Sequence, residues 1–120
     1  VMAGFQELKV WQLGKELAVA IYKITNEKKF KADFGLTDQI RRAAVSIPSN
    51  IAEGDERGSN KDAVRFLYIA KGSLAELRTQ LIIANEIGYI DTITLNDMNQ
   101  KCQTLGKMIG SLIKSRCTTP

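Results

Sequence analysis

The 120-residue sequence has no histidine, only two cysteines and two prolines, and few aromatic residues (7%). Without histidine it lacks the side chain that most often serves as general acid or base near neutrality. It also lacks the Glu-x-x-His ligand pattern of di-iron helical bundles. Cys102 and Cys117 are too few for a disulfide framework. Cys102 falls on an apolar stripe as a small hydrophobe, and Cys117 sits in a polar tail with no metal-ligand partner nearby. A phosphate-cradling glycine pattern is missing, as are a membrane-length apolar run and the basic, apolar, small-residue succession of a signal peptide. These absences argue against an enzyme, a membrane protein and a secreted protein, and they predict a cytoplasmic chain with no metal and no cofactor.

What is present is ordinary globular material, 44% hydrophobic and 25% charged. At 13.3 kDa it is expected to form one domain over residues 1–120, with its core within residues 5–115. A net charge of +4 and a pI near 9.2 permit binding to nucleic acid or another acidic partner without requiring it. Cations exceed acids slightly in every third of the chain, so a basic surface must be assembled by folding or by association.

Apolar residues recur at steps of three and four in four segments, the spacing of a helix with one buried stripe. Val10, Leu13, Leu17, Ala20 and Ile24 define the first, over residues 6–27. The stretch 26–35, with Lys28, Lys29 and Lys31 around Phe30, has no apolar period and reads as a connection carrying solvated charges. Leu36, Ile40, Ala44, Ile47 and Ile51 define the second helix, whose stripe passes straight across Pro48. That helix is expected to bend at Pro48 without stopping. The proline removes a donor and displaces the Ala44 carbonyl, at a cost of about 3 kcal/mol unless Ser46, Ser49 or Asn50 compensates.

Ser59 with Asp62 is a capping signature for a third, longest helix, striped by Ala63, Phe66 or Leu67, Ala70, Leu74, Leu77, Leu81 and Ala84 and ending near Gly88. Gly72-Ser73 at its middle costs about 1 kcal/mol relative to alanine and lets another helix approach closely. Tyr89–Ile93 reads as the last loop. Thr94 with Asp97 then repeats the cap for a fourth helix carrying Leu95, Met98, Cys102, Leu105, Ile109 and Leu112. The fold class is therefore all-α, an antiparallel up-down four-helix bundle with its second helix kinked at Pro48.

The second and third helices must face each other across the turn at Gly58, so opposed residue numbers add to about 118. This register sets Arg42 against Glu76, Ser46 near Ser73 and Glu53 against Arg65, and Asn50 shares the face of Ser46 and Glu53. Together these seven residues are expected to form a structural polar layer that satisfies the bent backbone and fixes register. The carboxylates Glu53, Asp55 and Glu56 read as a charged helix end and not as a metal site. Arg41, Arg57, Lys61, Lys71 and Arg78 have no internal partner by this register, which makes them the candidates for contact with nucleic acid.

Three motifs taken together, Gln39-Ile40-Arg41-Arg42-Ala43-Ala44, Ser46 through Gly54 and Lys71 through Leu77, resemble the bacterial four-helix-bundle family of 23S rRNA intervening-sequence proteins. The opening Phe5 through Gln12 and the closing Gly88-Tyr89-Ile90 are similar to that family as well, so the likeness covers most of residues 5–115. The family includes relatives of the accessory protein of diversity-generating retroelements. The resemblance implies a homopentameric ring with RNA or DNA and a reverse transcriptase as partners. It also brings a ribosomal-protein label, with an implied role outside the ribosome core. Two functions are expected on these grounds: a non-enzymatic, homo-oligomeric adaptor associated with nucleic acid, or a protein-interaction scaffold for a partner enzyme with little nucleic-acid affinity of its own.

Overall fold

The apolar stripes become the inner faces of four long helices in the computed structural model, which describes residues 4–117; the six terminal residues of the expected 1–120 domain lie outside the described residues. A 3-10 turn, Phe5–Glu7, precedes α1 (Lys9–Ile24), a short α2 (Lys28–Ala32), α3 (Phe34–Glu56), α4 (Asn60–Glu86) and α5 (Thr92–Cys117). No strand occurs among the described residues. Helix α3 packs against both α1 and α4, α4 against α5, and α5 returns to α1, which closes the bundle. Facing residues show that neighbours run antiparallel: Arg41 meets Thr25, Ser46 meets Ser73 and Arg78 meets Asn99.

One cluster of buried side chains joins all four long helices, with Ile21, Ile40, Ile47, Leu77, Leu81, Leu105 and Ile109 almost wholly inaccessible. Burying each such side chain contributes about 1.5–3 kcal/mol. On α1 the buried face is turned from the expected stripe. Val10, Gly14, Leu17, Ala18 and Ile21 are buried, whereas Leu13, Ala20 and Ile24 are only half-buried. The inward face brings Gly14 against Pro48, where an added Cβ would stand at contact distance, 3.5 Å from Pro48 Cβ.

Helix α3 runs unbroken through Pro48, which is itself buried. Asn50 Nδ2 donates to the Ser46 carbonyl at 2.8 Å, beside the proline, but not to the Ala44 carbonyl that Pro48 leaves without its helical donor. At the other end of the same helix, Gly54 faces α4 so closely that a Cβ would stand 2.9 Å from Phe66 Cβ and 3.3 Å from the Ala63 backbone. Ser59 caps α4 by accepting from the Asp62 amide at 3.2 Å, and Gly58 supplies the positive φ of the preceding turn.

The first connection differs from the sequence expectation. Residues 28–32 are helical, and Phe30 is completely buried, edge-to-face on Tyr89 with ring centroids 5.2 Å apart. Asp33 ties this corner together: one carboxylate oxygen accepts from the Leu36 amide and caps α3, and the other accepts from the Tyr89 hydroxyl at 2.8 Å. That hydrogen bond, helped by burial and the carboxylate's charge, holds the Tyr89 phenol above its ordinary pKa. Lys29 Nζ donates to the Gly88 carbonyl at 3.0 Å, so the lysine expected in solvent fastens the α4–α5 turn. A five-residue helix is too short to display a period, and its single anchor is identified only by what packs on it.

The start of α5 also differs. The helix begins at Thr92, two residues into the expected loop, because Asp91 and not Thr94 supplies the cap, accepting from the Thr94 amide at 2.7 Å. This bond holds the Asp91 carboxyl below its usual range. Asp97, expected to complete the cap with Thr94, pairs with Lys101 one turn on instead.

Two substitutions test this packing by chemical denaturation. Phe30→Ala is expected to cost about 3–5 kcal/mol, the range for truncating a buried aromatic. Gly54→Ala is expected to cost about 1–3 kcal/mol although alanine is the better helix former, because the new methyl meets backbone that cannot move aside.

Candidate nucleic-acid interface

The expected polar layer lies between α3 and α4, and its centre is as the register predicts. The Ser46 and Ser73 hydroxyls are hydrogen-bonded at 2.8 Å, and Asn50 Nδ2 adds a donor to Ser46 Oγ at 2.9 Å. The charged ends of the layer do not pair across the helices. Arg42 bonds Asp38 at 3.1 Å and not Glu76; Glu53 bonds Arg57 at 3.2 Å and not Arg65, which lies over the Phe66 ring at 4.8 Å. Exposure explains the change: the Arg42 side chain is 80% accessible, and a solvated arginine finds a partner one turn away on its own helix more cheaply than one across a groove.

Of the five candidate cations, three have protein partners where none was expected. Arg41 Nε donates to the buried Thr25 Oγ1 at 2.8 Å, and its guanidinium stacks on Tyr22 at 4.6 Å. Arg57 combines the Glu53 bond with a position 5.0 Å over Phe66. Arg78 directs Nε and Nη2 onto Asn99 Oδ1 at 3.2 and 3.0 Å. Lys71 lies 6.0 Å from the Tyr68 ring, and Lys61 is exposed with no hydrogen bond or ion pair among the described residues. The five do not converge. Arg41 lies on the α1 side of α3, Arg57 caps the C-terminal end of α3, and the other three are spread along α4. Nearby Cys102 is no nucleophile, since burial pushes its thiol up to about 11 against the opposing pull of Arg78.

The structure does gather cations elsewhere. Where α1 ends and α2 crosses to α3, an open cleft is lined by Tyr22, Asn26, Lys31, Phe34, Arg41 and Arg42, with Asp38 as its carboxylate. Its floor is Thr25, which donates to the Ile21 carbonyl at 2.8 Å while accepting from Arg41, so Arg41 is held in place before any ligand arrives. Phe34 at the mouth is 82% exposed. Fixed and mobile cations beside accessible aromatic faces suit a ligand with both phosphate and flat bases, as in proteins that bind single strands.

A family model described as the 23S rRNA-intervening sequence protein matches residues 6–111. The chain belongs to the 23S rRNA-intervening sequence protein family. Among solved structures, a protein of unknown function from the S23 ribosomal protein family of Bacteroides thetaiotaomicron VPI-5482 is 30% identical to it. The match covers 88% of this chain and 98% of the other, with a TM-score of 0.79. No curated protein is significantly similar.

Within this member of the family, Arg41 is the one sequence-derived candidate that the fold brings into the cleft. Arg42 was assigned to the polar layer and Lys31 to solvated loop charge, and Tyr22 and Phe34 were missed. The lysine run at 28–31 carries a faint signal, but only the buried anchor at Phe30 turns Lys31 toward Arg41. Because Arg42 and Glu76 choose no common bond, Arg42→Gln and Glu76→Gln are expected to be additive in stability within about 0.5 kcal/mol in a double-mutant cycle. A coupling well above that figure would show that the two side chains meet.

Proposed function

We propose that this chain is a non-enzymatic, homo-oligomeric adaptor that binds single-stranded nucleic acid, RNA or DNA, in the cleft between α1, α2 and α3. The observation that carries the reading is the grouping of Lys31, Arg41 and Arg42 with the exposed rings of Phe34 and Tyr22 around one concavity. The cations would neutralise successive phosphates and the rings would receive bases. Family membership supports a setting in rRNA intervening sequences or retroelements, and the resemblance to ring-forming relatives supports five copies. Cytoplasmic residence belongs to the same reading; among the described residues no helix is long and apolar enough to cross a membrane.

A scaffold for a partner enzyme such as a reverse transcriptase is the second reading. It is favoured by Phe34 and Ile93, both at least 80% exposed, since large apolar side chains in solvent also suit a protein partner.

The two are separated by titrating a single-stranded RNA oligonucleotide at several salt concentrations. Binding through the cleft predicts a log–log slope of about −0.7 per phosphate contacted, and Lys31→Glu with Arg42→Glu should weaken binding to all sequences and flatten that slope by about one to two contacts. Lys71→Glu with Arg78→Glu on the far helix should do less. Absence of salt-dependent binding in the wild type would move the assignment to the scaffold. Light scattering at tens of micromolar checks association, and a strictly monomeric mass would remove the oligomer from the proposal.

A further inference from the structure

Between α3 and α4 lies a polar groove separate from the cleft, lined by Gln39, Arg42, Ser46, Ser73, Glu76 and Gln80. Its volume is about 410 Å³, room for one heterocyclic base. Hydrogen-bonding capacity is left over on both of its walls. Whichever hydroxyl donates in the Ser46–Ser73 pair, the other keeps a proton for which the described residues supply no acceptor. On α4, Gln80 Oε1 is buried with no hydrogen-bond partner. Buried carbonyl oxygens nearly always have a donor, so an orphan marks a place where a partner is missing. One turn earlier the exposed Glu76 carboxylate has no ion pair among the described residues.

Arg42 and Ser46 line both this groove and the cleft. A strand held at Lys31 and Arg41 that extends over α3 to a phosphate on Arg42 therefore arrives at the mouth of the groove. Glu76 and Arg42 are the two charged residues lining it.

We propose that the α3–α4 groove receives one base of the bound strand and selects guanine. The inference rests on the nucleic-acid reading above and adds to it a preference among bases. Guanine alone among the four RNA bases presents two adjacent donors, N1–H and the N2 amino group, which the two oxygens of one carboxylate can accept together. Glu76 supplies that carboxylate. Uracil offers a single donor between two carbonyls, while adenine and cytosine offer an amino group beside a ring-nitrogen lone pair, so each sets a lone pair against a carboxylate oxygen. The second hydrogen of the guanine amino group is left for Gln80 Oε1, which a half-turn about the soft last side-chain bond brings into the groove. On the α3 side, the Gln39 amide nitrogen and the spare serine proton are donors for guanine O6 and N7. An arginine or lysine side chain entering instead would meet the like charge of Arg42.

The probe is a single-stranded RNA of about twelve uridines in which one central base is guanine, hypoxanthine (guanine without its N2 amino group) or adenine. Wild-type protein is expected to bind the guanine strand about tenfold more tightly than the other two, the scale of one good bidentate base contact. Glu76→Ala should bring these ratios close to one, and Gln80→Leu should lower them by less, each with a circular-dichroism melt showing an intact bundle. Removing an anion strengthens general attraction to phosphate, so a fall in affinity confined to the guanine strand is not an effect of charge. Equal binding of the three strands by wild-type protein would overturn base selection and leave the cleft reading standing. A guanine preference that survives in both variants would overturn the assignment to this groove; no binding of any strand would overturn both readings.

Discussion

Everything else in this molecule depends on how closely α3 approaches its two neighbours. Gly14 seats α1 on Pro48, Gly54 seats α4 against α3, and the Ser46–Ser73 hydrogen bond fixes their register midway along. A methyl group at Gly54 would push α4 outward, whereas one at Gly14 would stand at ordinary contact distance, 3.5 Å from Pro48 Cβ. Because interiors are packed like crystals, a shift of a few tenths of an ångström at these points would propagate along both interfaces. The polar pair between α3 and α4 adds little net energy but leaves an unsatisfied hydroxyl in any other register, which makes it a device for specificity.

The cleft follows from that arrangement with one addition, the corner built on Asp33. A single carboxylate caps α3 and holds the Tyr89 hydroxyl, Tyr89 packs on Phe30, and Phe30 anchors the short helix that carries Lys31. Lys29 stitches the same corner to the α4–α5 turn. Lys31 therefore stands on a braced segment, opposite an arginine already bonded to Thr25. A cation held in place loses less side-chain entropy on meeting a phosphate than one free to rotate, which is the physical merit of the Arg41 geometry. The cations on α4 have no such convergence.

Helix α4 shows how one sequence pattern carries two meanings. On one side the helix buries Leu67, Ala70, Leu74, Leu77 and Leu81, and on another it leaves Tyr68, Gly72, Ala75, Thr79 and Ile82 exposed, with charged residues such as Lys71, Glu76 and Arg78 between the two. Exposed apolar residues are common singly, but five uncharged positions in sequence along one helix face are a continuous surface. Its flanks are of mixed charge, with Glu76 and Glu86 but also Lys71, whose ammonium lies 6.0 Å from the Tyr68 ring.

The helical class, the long helices and the cap at Ser59 were legible in the sequence because period, glycine and capping chemistry are local properties of ten or twenty residues. So was the Ser46–Ser73 contact, since two antiparallel helices joined by a short turn have one arithmetic register. The partners of Arg42 and of Glu53, Asp38 and Arg57, were not legible, because exposed long side chains choose among several partners of nearly equal energy and the local one prevails. Gly14 gives no period of its own, so the rotation of α1 emerged only when the helix lay on Pro48. The burial of Phe30 and the sharing of one cleft by Lys31 and Arg41 depend on segments distant in sequence or too short to carry a pattern, and the Asp91 cap was hidden by the competing Thr94–Asp97 signature. Sequence alone determined the four long helices and which neighbours are antiparallel, since backbone hydrogen bonding and side-chain period act within a segment, while the short helix at residues 28–32 escaped it. Which cations converge was decided by tertiary packing, because a charged side chain's surroundings are set by the helices that meet beside it.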